Sequence, residues 1–394
     1  MNVEEPWYIK DRKLDSESKN LDIWLDFKRG SRFPCPECGK PNCSAYDTKE
    51  KVLRHINYFQ YPTYLHIRTP RVVCSNCGIL QIRVPWAREL SHFTLRMEAM
   101  ILELAKKMPV LQVANFLGEE DKKLWRVIHH YVDEARSKED FSDVSVIGVD
   151  ETSRKKGHNY ITLAVDFEDS KVIFICEGKD SSTITSFSED FQNHSGNPNN
   201  IESACIDMSP SYISGISKEL PNAKITFDKF HVMKMMNEGV NEVRKREQKT
   251  KNELKDTKFI WLKNEKNLTE NQRNKLQELQ NQKLETLKAF NIKESLGNFW
   301  KCKSREEAEQ YLKKWYFQAT HSRLEEVIEV AETIKNHWDG ILNYFNSRIT
   351  NGILEGMNST VQLIKRNARG FKNSLYFINT IYLKKGKLDF KLPT

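Results

Sequence analysis

Between residues 144 and 227 the chain alternates short apolar runs with amphipathic stretches, in an order that few folds accommodate. Val144-Ser-Val-Ile-Gly-Val-Asp150 has the length and composition of a buried strand. Its Asp150 falls at the C-terminal tip, where open sheets place their ligands. The alternating segment 160–167 and the apolar run 171–176, joined by Glu168-Asp169-Ser170, read as a hairpin extending the same sheet. A helical stretch over 182–192, a strand over 201–206 ending at Asp207, a helix over 211–220 and a strand over 224–227 complete a βββαβαβ order. With the first and fourth strands as neighbours, Asp150 and Asp207 face each other across one strand spacing, about 4.8 Å. Carboxylates that close repel unless a cation lies between them. Asp is also a common exposed residue at a strand end, so each taken singly has a plainer explanation.

That order is the one found in an RNase H-like domain, an α/β core built on a mixed sheet. Carboxylates clustered without a nucleophilic Ser or Cys hold divalent metals and carry out phosphoryl transfer. A third acid, Glu355, lies far downstream between Gly352 and Gly356. On a helix each glycine costs about 1 kcal/mol relative to Ala, and the pair would leave one face bare for close approach to a sheet or a DNA backbone. The alternative is a turn at Asn351-Gly352 with Glu355 as an ordinary first-turn acid. The interval before Glu355 far exceeds one strand and one helix. It is charge-rich, with Leu254, Phe259, Ile260, Leu276, Leu279, Trp315, Val327 and Ile334 among its apolar positions. It reads as an all-helical insertion over 234–340. Within it, 244–287 fits an exposed antiparallel helix pair or a coiled-coil dimer contact, and the pair needs no partner.

Eight cysteines occur, and four fall as Cys35-Pro-Glu-Cys38-Gly and Cys74-Ser-Asn-Cys77-Gly. Each Cys-x-x-Cys turn aims two thiolates at one ion, and two such knuckles make a tetrahedral four-cysteine site holding one structural Zn2+. Strand-like alternation at 58–67 and 71–73 makes a ribbon between them plausible. Cys43 is close enough to Cys38 to compete as a ligand, whereas Cys176, Cys205 and Cys302 sit in apolar settings suited to packing.

Apolar residues at helical spacing over 97–108, 110–117 and 120–135, with Gly118 as a stop, match a helix-turn-helix whose last helix enters a major groove. Lys122, Lys123 and Arg126 would line its outer face. Residues 91–136 hold seven basic and seven acidic side chains, so charge alone leaves a three-helix linker equally possible. The formal charge of +8 favours polyanionic partners. It is concentrated over 362–387, where seven basic residues, Lys365, Arg366, Arg369 and Lys372 among them, stand with no acid. Such a run neutralises phosphates, or is a solvated face. No apolar stretch approaches the roughly 20 residues of a membrane span, and the start Met-Asn-Val-Glu-Glu-Pro lacks a signal-peptide pattern, so a cytoplasmic protein is expected.

Four blocks resemble those of bacterial ISL-three-type insertion-sequence transposases: Gly148-Val-Asp-Glu-Thr-Ser-Arg-Lys-Lys-Gly-His-Asn-Tyr160, Ile206-Asp-Met-Ser-Pro-Ser-Tyr212, Phe227-Asp-Lys-Phe-His231 and Asn351-Gly-Ile-Leu-Glu-Gly-Met-Asn-Ser359. They occur in the family's order, and the resemblance spans nearly the whole chain. It implies a DDE recombinase with Asp150, Asp207 and Glu355 as catalytic acids holding two Mg2+ (or Mn2+). It also implies binding of transposon ends and target DNA, 3′-hydroxyl end joining, a homodimer or larger active complex, and nucleoid association. Asp228 and His231 resemble a pair beside the catalytic acids of transposases with helical insertions, although a His at a helix start is often a local hydrogen-bonder. The expected organisation is a zinc module over 1–90, a helix-turn-helix over 91–140, a catalytic domain over 141–233 and 341–394, and the insertion over 234–340. Two other functions fit the same residues: a non-enzymatic zinc/helix-turn-helix regulator and an RNase H-like structure-specific nuclease.

Overall fold

The computed structural model describes residues 3–155, 159–347 and 352–392. Its contacts divide the chain into two compact units: Met1–Ser137 with Asn367–Lys384 and Leu388–Thr394, and Lys138–Arg366 with Lys385–Lys387.

The first unit opens with strands β1 (Trp7–Asp15), β2 (Asn20–Phe27), β3 (Arg32–Phe33), β4 (Cys43–Tyr58), β5 (Tyr61–Cys74) and β6 (Gly78–Gln81). They form one sheet in the order β1-β2-β5-β4-β3, with β6 also on β5, and only β2 and β5 run parallel. The β4–β5 hairpin is longer than the alternation at 58–67 and 71–73 indicates. The first half of β4 is largely exposed and so carries no apolar pattern to read. Trp7, Phe27, Phe33 and Trp86 meet with centroids 5.3 to 5.9 Å apart, mostly edge to face, as ring quadrupoles favour.

Helices α1 (Leu95–Lys107), α2 (Val110–Leu117) and α3 (Asp121–Arg136) follow, within two residues of their expected limits. Gly118, at φ +68°, ends α2 in the left-handed conformation a Cβ disfavours. Buried Glu98 on α1 accepts hydrogen bonds from Ser91 Oγ (2.6 Å) and Tyr131 Oη (3.0 Å) and pairs with Arg88 at 2.9 Å. Its charge is therefore met on every side, the condition for burying it. Arg54 of β4 reaches Glu119 in the turn after α2 (3.4 Å), both side chains buried, and this ties the sheet to the helices.

The second unit contains β7 (Val146–Lys155), β8 (Asn159–Asp166), β9 (Lys171–Glu177), α4 (Ser181–Asn193), β10 (Ser203–Ile206), α5 (Pro210–Glu219) and β11 (Lys224–Phe227). The sheet order is β11-β10-β7-β8-β9, with β10 parallel to both neighbours and β8 antiparallel to both of its own. One expectation is corrected: Asp150 is not the tip of its strand. Because β8 keeps pairing with β7 as far as Lys155↔Asn159 while β10 has stopped at Ile206, β7 continues past Asp150 on one side only.

Helices α6 (Lys229–Glu247), α7 (Lys258–Leu262), α8 (Glu270–Gln280), α9 (Glu285–Phe299), α10 (Arg305–Thr320), α11 (Glu325–Asn336), α12 (Trp338–Leu342) and α13 (Tyr344–Ser347) come next. Their apolar faces share one core with the sheet. Residues 244–287 are neither an antiparallel pair nor a coiled coil but the end of α6, two short helices and turns wrapped on α9. Two buried charges fix this wrapping. Lys293 on α9 donates to Trp261 O (2.7 Å) and Lys263 O (2.8 Å), satisfying carbonyls at the end of α7. Glu247 accepts from Glu285 N (2.9 Å), Thr286 N (2.8 Å) and Thr286 Oγ1 (2.8 Å), capping α9 from another helix. Gly340 lies where a Cβ would stand 2.3 Å from the Phe227 ring, so α12 closes tightly on β11.

Helix α14 (Gly352–Asn367) belongs to this unit, while most of α15 (Ser374–Lys385) packs in the first. Tyr376 stacks on Trp125 of α3 with centroids 4.1 Å apart and planes 5° from parallel, and Lys384 Nζ donates to Lys106 O (2.9 Å). The segment 341–394 thus divides between the two units by its contacts. Among the described residues no helix is long and apolar enough to cross a membrane. Replacing Glu247 by Ala strands three donors at the start of α9 and should lower stability by about 2–3 kcal/mol, measured by denaturant unfolding.

Candidate functional site

β10 pairs with β7 through Cys205↔Gly148 and with β11 through Ile206↔Phe227. Continuing those registers places Asp207 level with Asp150 on one side and with Asp228 on the other, three carboxyls along one sheet edge. Burial pushes the Asp150 carboxyl up to about 6, and the Asp207 charge adds to this. The Glu151 amide (2.7 Å), Asn358 Nδ2 (2.5 Å) and His231 act in the opposite sense. Asp207 Oδ1 accepts from Ser209 N (2.9 Å) at the start of α5. Glu151 is also raised by burial, with Lys179 4.0 Å away.

Asp228 is buried and caps α6 by accepting from Phe230 N (2.8 Å). Its Oδ2 lies 2.9 Å from His231 Nδ1. That carboxylate raises the His231 pKa, against burial, with Asp150 and Asp207 contributing.

Helix α14 lies along β7. A Cβ at Gly148 would stand 2.5 Å from the Phe167 ring and 2.7 Å from Leu354 Cδ1, so the close approach expected of the α14 glycines occurs on the strand instead. At Gly356 a Cβ would meet nothing in the protein, so that glycine is not the one that meets the sheet. Further along, Asn358 bonds Asp150, Gln362 bonds the Thr152 hydroxyl, and Lys365 Nζ donates to Ser153 O (2.6 Å). Glu355, one turn before Asn358, is exposed, and its charge reaches Lys229, the residue after Asp228. The oxygens of Asp150, Asp207 and Glu355 are not gathered to within 4.8 Å of one another as the sulfurs described next are. Asn351 and residues 156–158 of the matching blocks lie outside the described residues. Asn358 was not singled out from sequence; its position one helical turn from Glu355 is the signal that could have found it.

The sulfurs of Cys35, Cys38, Cys74 and Cys77 lie within 4.8 Å of one another. The Asn76 and Cys77 amides point at Cys74 and lower its thiol, as a metal-binding thiolate requires. This donor set fits tetrahedral zinc. Cys43 stands outside the group, with its Sγ 3.5 Å from Lys40 O. Cys205 and Cys302 are buried and Cys176 is half-buried, as packing residues.

On α3, Lys122 and Arg126 are exposed, whereas Lys123 is held by Glu119 at 3.1 Å. Arg366 and Arg369 are exposed, Lys365 is engaged with β7, and Lys372 lies 3.8 Å from Asp121. Cys74→Ser should reduce bound metal from about one zinc per chain toward none while unit two stays folded; metal analysis with circular dichroism checks both. Gly148→Ala should cost about 1–3 kcal/mol by overpacking, seen as a lower unfolding midpoint.

Three family profiles match in chain order: a zinc-finger of the transposases IS204/IS1001/IS1096/IS1165 over residues 31–77, the helix-turn-helix domain of transposase family ISL3 over 82–132, and an ISL3-family DDE transposase domain over 147–381. The transposase for insertion sequence element IS1001 of Bordetella parapertussis is 28% identical over 359 residues, covering 87% of this chain and 86% of that protein. The transposase for IS1557 of Mycobacterium tuberculosis is 24% identical over 374 residues, covering 86% of this chain and 82% of its own length. With zinc site, helix-turn-helix and acidic sheet edge in that order, the chain belongs to the ISL3 family of insertion-sequence transposases and is a DDE-type enzyme.

Proposed function

We propose that Asp150, Asp207 and Glu355 are the catalytic acids of an RNase H-like core that cuts DNA at the ends of an insertion sequence and joins the freed 3′-hydroxyls to target DNA. What supports this is the register of β7 and β10, parallel strands whose continuation brings Asp150 and Asp207 level, with the Asp150 carboxyl raised by burial and by the Asp207 charge. Hard oxygen donors of this kind suit Mg2+ or Mn2+. Two such ions would neutralise charge on the reacting phosphate and lower the pKa of an attacking water or hydroxyl. Asn358 donates to Asp150 Oδ2 and so orients that carboxylate, leaving Oδ1 to the Glu151 amide. Glu355, exposed on α14 one turn away, approaches the other two acids when DNA and cations neutralise their repulsion. The open space over Gly356 leaves room there for a DNA backbone. Asp228 and His231 form an auxiliary pair: Asp228 fixes the start of α6, and its carboxylate raises the pKa of His231, with Asp150 and Asp207 contributing.

The domain division follows function: the zinc module and helix-turn-helix recognise the terminal repeats, with Lys122, Lys123 and Arg126 facing DNA. Lys365, Arg366, Arg369 and Lys372 add phosphate contacts. The active form is a homodimer or larger complex that pairs two ends, working on the nucleoid in the bacterial cytoplasm. The test uses Asp150→Asn, Asp207→Asn and Glu355→Gln proteins with end-bearing oligonucleotides and Mg2+. Each should bind ends and fold normally yet cleave and join roughly 10^3-fold or more slowly, and double variants should lose little more. A Glu355→Gln protein joining ends at near wild-type rate would remove Glu355 from the site and turn attention to Asp228.

A further inference from the structure

We propose that a cationic cleft in the helical insertion is a separate DNA-contact site, gripping the sugar-phosphate backbone of the strand that leads away from the carboxylates. This rests on the DNA-cutting function proposed above. The cleft, about 820 Å3, lies between the start of α6, the turns around α7, and the end of α9. Five cations, Lys229, Lys263, Lys266, Arg273 and Lys301, line it against two acids, Glu265 and Glu294. Glu294 lies 3.0 Å from the buried Lys293 ammonium and is already matched by it. Lys263 donates to Gln272 Oε1 (3.1 Å) and exposed Lys301 to Asn298 Oδ1 (2.6 Å), while Lys266 and Arg273 are also exposed.

Such a gathering of like charge costs free energy unless a polyanion enters. Lys229 registers the cost: burial and repulsion from Lys266 and Lys301 lower its pKa, and only Glu355 opposes them. Lys229 also stands 5.7 Å from the Trp300 ring, whose buried indole N–H has no acceptor in the protein. Exposed cations gathered along one cleft suit phosphate oxygens. The position defines which part of the DNA is held. Lys229 follows Asp228 directly, so the cleft opens at the β11 end of the acidic edge and runs into the insertion.

The full-length protein carrying Lys266→Glu, Arg273→Glu and Lys301→Glu is compared with wild type and with a Lys266→Arg, Lys301→Arg protein. Binding to a random-sequence duplex is followed by fluorescence anisotropy across a salt titration, with circular dichroism reporting fold. The reversal should weaken binding by about tenfold or more and flatten the log–log salt slope by about 0.9 per lost phosphate contact, while the arginine protein matches wild type. Should the triple variant misfold, Lys301→Glu alone reads the same slope change. A folded reversal variant with wild-type affinity and slope overturns the inference, as does inorganic pyrophosphate displacing the duplex equally from wild type and variant. If wild type fails to cut its own ends but the reversal still loses DNA, the cutting function falls and the cleft stands. If wild type cuts and the reversal binds normally, the cleft falls alone.

Discussion

The missing side chain at Gly148 sets how near α14 can come to β7. With Leu354 and the Phe167 ring both inside the space a Cβ would need, the helix rests on the strand, and everything beyond that contact follows in register. Asn358 reaches Asp150, Gln362 reaches Thr152, and Lys365 reaches the Ser153 carbonyl. A helix displaced by a methyl group would break this series at its first member. Asp150 would then keep its burial while losing a donor that stabilises its charge.

The helical insertion is held by equally specific means. Two of its buried charges satisfy backbone groups that helix ends leave open. Lys293 takes the carbonyls ending α7, and Glu247 takes the amides beginning α9. Gly239 brings α6 within 3.2 Å of the Glu326 carbonyl as measured from a would-be Cβ. The helices from α6 to α13 are thus a folded body continuous with the sheet's core.

Much of this was legible in the residues. The strand order of the second unit follows from apolar runs whose lengths differ from the intervening amphipathic stretches, and the zinc ligands follow from two knuckles of identical spacing. What resisted reading has physical reasons. The outer part of β4 has no buried face, so its extension left no alternation. The breaks within 244–287 depend on Lys293 and Glu247, residues that look like surface charges until their partners are known. The place of α15 was hidden because its hydrophobic residues could serve either unit, and the stack of Tyr376 on Trp125 decides it. At the acidic edge, periodicity located Asp150 and Asp207, but the role of Gly148 in the approach of α14 to β7 could come only from atomic positions.

The return of α15 to the first unit has a consequence for how the molecule is made. Trp125 emerges early in synthesis, and Tyr376 only after the whole of residues 138–366 has been translated. The helix-turn-helix region therefore waits, one packing face uncovered, until the catalytic unit exists. A chain interrupted anywhere inside the second unit would leave that region short of a helix, so the first unit is completed only after the second has been made.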